Sequence, residues 1–261
     1  MARRGAALLA LALALAGCGG GGGGNNASGE RIALAAAKTA KVGSIEADFR
    51  ISGAGIEGKG TGVFNTGKKS SGQLTMTVAG NGRSVKIDTV ITGTVLYMRS
   101  PMFAQLTGGK QWVMLDLGKI ARQRGIDLGS LLNSSPTPTS ALAFLRGSGR
   151  NVEKLGRERV RGVQTTHYHA IVDLRRAAAQ ANGEARQSLR RLTNASGVRQ
   201  LPVDVWIDGH GYVRRVAYEL KTGSVAPKVT MELHDFGAHI PISAPPRRSV
   251  VDLMSKLGGG G

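Results

Sequence analysis

Few side chains in this 261-residue chain are spaced for chemistry. His167 and His169 are two apart, so on a strand both imidazoles share one face and could begin a zinc site, with His234 or His239 as a third ligand. No cysteine pair or H-E-x-x-H accompanies them, so they also read as two imidazoles on a solvated strand face, and no metal site is expected. Asp204 and Asp208 lie on one strand face about 13 Å apart at 3.3 Å per residue. A glycosidase pair needs about 5 to 9.5 Å. Gly53-Ala54-Gly55-Ile56-Glu57-Gly58 spells a dinucleotide fingerprint, and Gly53 to Lys59 nearly spells a phosphate-binding loop. Both fail on context: Gly60 stands where a magnesium-binding hydroxyl belongs, and strand-like residues follow where a helix should present its amides. With no G-x-S-x-G and no nucleophile beside a base, no catalytic residue and no cofactor are expected, and the chain reads as a non-enzyme.

The residue with a defined chemical fate is Cys18, the only cysteine. Arg3 and Arg4 precede an apolar run from Gly5 to Gly17 that ends in small residues, the layout of a secretory leader. The run is too short to span a bilayer, which needs about 20 apolar residues. Directly after Leu15-Ala16-Gly17, Cys18 is placed for acylation of its thiol and for becoming the new N-terminus, a pattern that resembles the lipobox of bacterial lipoproteins. Two or three acyl chains such as palmitate, each buried at about 0.8 kcal/mol per methylene, make release rare. The expected organisation is a leader at 1–17, a lipidated cysteine with a glycine-rich tether at 18–27, one domain at 28–257 and a disordered tail at 258–261. The expected location is the extracytoplasmic face of the cell membrane.

Composition narrows the class. Removing the leader leaves about 244 residues, room for one large domain, and no repeat or second linker argues for two. With a single cysteine there is no disulfide framework, so stability rests on an ordinary core. The formal net charge is +18, of which Arg3 and Arg4 account for two. Such an excess favours an anionic neighbour. Outside the cytoplasm that means lipid headgroups or cell-wall polymer rather than nucleic acid, and a basic surface also serves solubility alone.

Hydrophobic periodicity is mostly two. Ile45, Ala47, Phe49 and Ile51 alternate with Glu46, Asp48 and Arg50, as a strand with one buried face requires. The pattern recurs at Leu74, Met76 and Val78 and at Val85, Ile87 and Ile91. Thr94 to Arg99 and Gln111 to Leu117 are apolar on both faces, as strands covered on each side would be. Further strands are expected at Ile56 to Phe64, Val152 to Glu158, Val163 to Asp173, Leu201 to Asp208, Tyr212 to Leu220 and Lys228 to Phe236, about eleven in all. Gly80-Asn81-Gly82, Asn65-Thr66-Gly67 and Asp208-Gly209-His210-Gly211 supply residues that tolerate positive φ, so neighbouring strands form antiparallel hairpins. Helices are expected at Glu30 to Val42, Ile120 to Leu132, Ser140 to Arg146 and Leu174 to Leu192, the last weakened at Gly183 by about 1 kcal/mol relative to alanine.

A sheet this wide accumulates twist and curls, so the expected fold is α+β: a strongly curved antiparallel half-barrel with helices covering its concave face. Gly58, Gly60 and Gly62 suit a sharply curved strand. The order of lipobox, glycine tether, N-terminal helix and long meander carries a family resemblance, together with Trp112-Val113-Met114-Leu115-Asp116, Gly162-Val163-Gln164-Thr165-Thr166-His167-Tyr168 and the closing hairpin Pro202 to Asp208 with Tyr212 to Val216. The chain resembles the actinobacterial cell-envelope lipoproteins LppX, LprA, LprF and LprG, which share the half-barrel of the periplasmic lipoprotein carrier LolA. The resemblance runs from Ala27 to Ile242.

The resemblance implies a carrier or chaperone in envelope lipid transport, whose apolar cavity between sheet and lid helices holds the acyl chains of a lipid or glycolipid. No ligand contact transfers residue by residue, and only Cys18 maps directly. From the alternation, the expected cavity-lining positions are Phe49, Ile51, Leu74, Met76, Val85 and Ile87, each of which also reads as plain core. Met76, Met98, Met102 and Met114 would let a pocket adapt to different chains. Arg175, Arg176, Arg190 and Arg191 would meet anionic headgroups at the rim. The expected partners are the acyl chains, the membrane and a membrane transporter; no nucleic acid and no oligomer are expected. The alternative is a structural or sensing lipoprotein with a filled core, bound to anionic cell-wall polymer or to a membrane partner.

Overall fold

Twelve strands carry the alternation. The computed structural model describes residues 23–53, 55–65, 71–123, 142–181, 186–187, 189–190, 193–194, 197–219, 226–238 and 240–257. Cys18, Gly183, Arg191 and His239 lie outside them. The strands are β1 (Ser44–Gly53), β2 (Ile56–Asn65), β3 (Ser71–Gly80), β4 (Arg83–Thr92), β5 (Val95–Arg99), β6 (Trp112–Asp116), β7 (Ser148–Val160), β8 (Val163–Asp173), β9 (Gln200–Asp208), β10 (Val213–Glu219), β11 (Lys228–His234) and β12 (Val250–Asp252). They form one sheet in the order β12-β6-β5-β4-β3-β2-β1-β11-β10-β9-β8-β7. All ladders are antiparallel except β12 on β6. The sheet curves and stays open, its edges at β7 and β12. The strand missing from the sequence reading is β12, whose three residues are too few to display a period.

Turn chemistry sets the hairpins. Asn81 and Gly82 both take positive φ (51° and 71°) between β3 and β4, as a two-residue turn that continues the strand twist demands. After β9 the Asp208 carboxylate accepts the backbone N–H groups of His210 and Tyr212, each at 2.9 Å, and pins the turn into β10.

Helices depart from expectation at their ends. Helix α1 runs Gly23–Thr39, so it includes residues assigned to the tether; once the alanine-rich segment is helical, each added residue gains a hydrogen bond. Short α2 (Ala104–Thr107) follows β5, and α3 (Leu117–Gln123) starts three residues before the expected Ile120. The segment expected as a helix at Ser140 to Arg146 is 3₁₀ at Leu142–Gly147. Helix α4 covers only Leu174–Gln180; Ala181 turns extended, and the Arg186 guanidinium donates to the carbonyls of Ala181 and Ala179 that the break releases. Helical backbone recurs at residues 186–187, 189–190 and 193–194. Helix α5 (Leu253–Leu257) follows β12. Among the described residues no helix is long and apolar enough to cross a membrane.

Cover is uneven across the sheet. Helix α1, the 3₁₀ segment and α4 lie over β7–β11, and one core joins Ile32, Ala35 and Ala36 of α1, Leu142 and Leu145, and Leu174 and Ala177 to Tyr168, Ala170, Val203, Val205, Val216 and Met231. A second, small core of Val160, Trp206 and Ala217 lies on the opposite, convex face. The expectation that β5 and β6 are covered on both faces does not hold among the described residues: every residue of β5 up to Met98 is half-buried, and in β6 only Val113 is buried. Their apolar composition instead reflects the sheet's half-covered flank.

Candidate functional site

All six side chains expected to line a cavity project from one face of the sheet. In antiparallel ladders, directly opposed residues share a face. One row runs Met231–Phe49–Gly60–Met76–Ile87 across β11, β1, β2, β3 and β4, and the next runs Val229–Ile51–Gly58–Val78–Val85. Leu74 stands between Gly62 and Thr89, and Thr89 faces Met98. This is the face on which Phe49 and Leu74 pack against the main core, so it is the concave side. Along β8–β10 its positions are mostly buried, whereas Phe49 and Ile51 of β1, Val229 of β11 and Leu74, Met76, Val78, Val85, Ile87, Leu96 and Met98 are half-exposed. The result is an apolar wall continuous with the core on one side and only partly covered on the other.

Glycines shape the floor of this wall. Any side chain at Gly60 would collide with the Met76 thioether, and a Cβ at Gly62 or Gly72 would stand 2.7 or 2.8 Å from the ring of Phe64. Neighbouring side chains therefore lie across the backbone of β2, and Phe64 meets Phe49 edge-on with ring centroids 6.2 Å apart. Phe144 of the 3₁₀ segment meets Tyr218 in the same manner at 5.5 Å, and burial pushes the Tyr218 phenol above its ordinary pKa. A cleft of about 470 Å³ opens between α1 and the β8–β9 strands, lined by apolar Leu34, Ala35, Tyr168 and Ile207 and by charged Glu30 and Arg31 among others. Leu34 is among the most exposed large apolar side chains described.

Of the four methionines expected in a pocket, Met76 and Met98 project from the concave face. Met114 faces Tyr97 on the convex side and Met102 sits in an exposed 3₁₀ turn, so neither joins that wall. Val78, Leu96 and Val229 share the wall and were missing from the expected set; their parity within the alternation marks them. Arg175 and Arg176 open α4 with their side chains exposed, while the Asp173 carboxylate accepts their backbone N–H groups at 2.8 and 3.0 Å. Arg190 is exposed, and Arg191 lies outside the described residues.

The histidine pair occupies the convex face. His167 stacks on Trp206 with centroids 4.0 Å apart, and its nitrogens lie 2.8 Å from Glu158 and 3.3 Å from Asp204, which His169 also approaches at 3.0 Å. Hydrogen bonds from Trp206 and His167 hold the Glu158 carboxyl below its usual range. His234 cannot complete a site here: its strand is three positions from β8, about 14 Å at 4.8 Å per strand. The carboxylates of Asp204 and Asp208 are separately employed, the latter fully buried against Arg214 at 2.6 Å.

This wide, open, mostly antiparallel half-sheet with helices over one end is an LppX/LprF-type fold. The chain shares it with two solved structures: the lipoprotein LppX of Mycobacterium tuberculosis (13% identity, TM-score 0.51, covering 83% of this chain and 97% of that one) and LprF of Mycobacterium bovis (14% identity, TM-score 0.53, covering 84% and 98%). No family model matches the chain. An uncharacterised 31.2 kDa protein of Streptomyces griseus, encoded between rplA and rplJ, is 32% identical over 163 residues, 59% of this chain. That match covers 52% of the relative, so the chain spans about half the length of the curated relative it matches.

Proposed function

We propose that this protein is a membrane-anchored, extracytoplasmic lipoprotein that holds the acyl chains of a lipid or glycolipid against the concave wall of its half-barrel and carries them between envelope sites. The observation that carries this reading is the run of half-exposed aliphatic side chains on β3–β5, continuous in register with a fully buried core. A contiguous apolar patch on a folded protein marks an interaction site, and at about 0.8 kcal/mol per methylene a chain of about ten buried methylenes gains about 8 kcal/mol before the cost of ordering it. Lipidation of Cys18 would hold the carrier beside its source. Helices α1 and α4 would act as the lid, with Arg175, Arg176, Arg190 and Arg191 meeting an anionic headgroup. No part of this reading requires catalysis.

The test is native mass spectrometry of residues 19–261, secreted behind a cleavable leader in the native envelope, followed by organic extraction. A stoichiometric lipid released on denaturation supports the carrier. Bare protein that also refuses added phospholipid and glycolipid overturns it in favour of a structural or sensing role.

A further inference from the structure

Glu46 of β1 and His234 of β11 stand directly opposite each other on the convex face, and Asp235 follows with its backbone at φ 47°. One ligand atom from each of these three residues lies within 4.8 Å of the others. A hydrogen bond from Gly237 N–H to the Ser44 carbonyl, at 3.0 Å, and one from the Ser44 hydroxyl to the Ala238 carbonyl bind the turn beyond Asp235 to the start of β1.

The surroundings of the imidazole make the arrangement informative. His234 Nδ1 lies 2.8 Å from an Asp235 oxygen. Nε2 is buried, has no hydrogen-bond partner, and lies 3.5 Å from the Asp48 carboxylate. With a cation on Nδ1 beside Asp235 and Glu46, Nε2 would carry the ring proton and face Asp48. Asp48 is itself fixed by Arg161 at 2.6 Å. A carboxylate behind the ligating imidazole is how metal-bound histidines are commonly oriented.

We propose that Glu46, His234 Nδ1 and Asp235 bind a divalent cation of borderline character, Zn²⁺ before Mg²⁺ or Ca²⁺, with Asp48 orienting the imidazole. One imidazole with two carboxylates suits zinc, whereas the harder cations prefer all-oxygen cages. The site bridges β1 and β11, the joint where the helix-covered strands β7–β11 meet the half-open strands β2–β6, so the cation would staple that seam from its convex side. This inference is independent of acyl binding.

The experiment is calorimetric titration of ZnCl₂ into the untagged full-length chain, purified in detergent and stripped with EDTA, paired with thermal unfolding with and without zinc. The expected result is one zinc per chain, a higher Tm with zinc, and at least about tenfold weaker binding in Glu46→Gln and His234→Gln. Asp48→Asn weakens binding while retaining the stoichiometry, and His169→Gln, in the other histidine cluster, leaves it unchanged. Circular dichroism confirms that each variant is folded. No 1:1 binding below about 1 mM zinc, or equal affinity in the folded Glu46→Gln and His234→Gln proteins, overturns the proposal.

Discussion

Met76 lies across Gly60. The two residues oppose each other on β3 and β2, and the methionine thioether fills the space a side chain at position 60 would occupy. Gly60→Val is therefore expected to destabilise the protein by about 1 to 3 kcal/mol, because either Met76 or the backbone of β3 must move. Urea unfolding measures the loss. The double variant Gly60→Ala with Met76→Ala should recover only part of it, since removing the thioether clears one contact while the Thr75 carbonyl, 2.5 Å from a Cβ at position 60, remains.

A charge on the concave wall separates ligand binding from folding. Val85 and Ile87 are half-exposed and, among the described residues, do not pack against the main core. Ile87→Asp should abolish retention of an acyl chain, since a carboxylate against methylenes is poorly solvated, while lowering Tm far less than the same change at buried Val205. Native mass spectrometry and a thermal melt on the same preparations read both effects. Lipid retained in Ile87→Asp would remove this wall from the site.

Asp208 is a structural carboxylate. Its side chain is fully buried, accepts Arg214 Nε and closes the β9–β10 turn through two backbone amides. Asp208→Ala leaves the largely buried Arg214 and both amides without this acceptor, and a loss of about 3 to 5 kcal/mol is expected by chemical denaturation. Recovery by Asp208→Asn should be small, because the amide restores one acceptor but no charge.

Much of this was legible from residue order. The alternation in β1, β3 and β4 placed six side chains on one face because hairpins of known turn chemistry leave little freedom of register. Helix ends were not legible: α4 stops at Ala181, where the Arg186 side chain takes up the carbonyls of Ala181 and Ala179, and α1 extends into glycines by propagation. The convex-face groupings were also hidden. His167, Trp206, Arg215 and Glu232 come from four different strands, and only the ladder register shows that they lie in one row. Sequence spacing made His167 and His169 look like the start of a zinc site, yet each finds its carboxylate partners locally. Glu46 and His234 carry no such signal, since 187 intervening residues separate them.

Acid should loosen the half-open side of the sheet. Partial burial raises the Asp88 pKa, but hydrogen bonds from Thr75 and Arg99 and the charges of Arg99 and Lys86 outweigh it and leave the group below its ordinary value. A carboxyl with a depressed folded pKa contributes stability that is fully present above its unfolded value, about 3.9, and is lost as pH falls through the folded one. Stability should therefore decline below about pH 4 more steeply in the parent than in Asp88→Asn, which lacks the titrating group. Hydrogen exchange at β3–β5 between pH 5 and pH 3 checks this, and equal slopes in the two proteins would assign the acid sensitivity to other carboxylates.

The basic residues at and beyond α4 provide the last prediction. Arg175, Arg176 and Arg190 present exposed guanidinium groups and, with Arg191, constitute the proposed headgroup rim. Exposed charges attract an anionic surface over about one Debye length, about 8 Å at physiological salt. Replacing all four with glutamate should slow lipid uptake from anionic vesicles at low salt, with the difference shrinking as salt is raised, while uptake from neutral vesicles stays the same. Stability should change little, because these side chains are solvated and the Asp173 cap that holds α4 is retained. Uptake unaffected by the charge reversal at low salt would detach α4 from headgroup recognition and leave the concave wall as the sole determinant of binding.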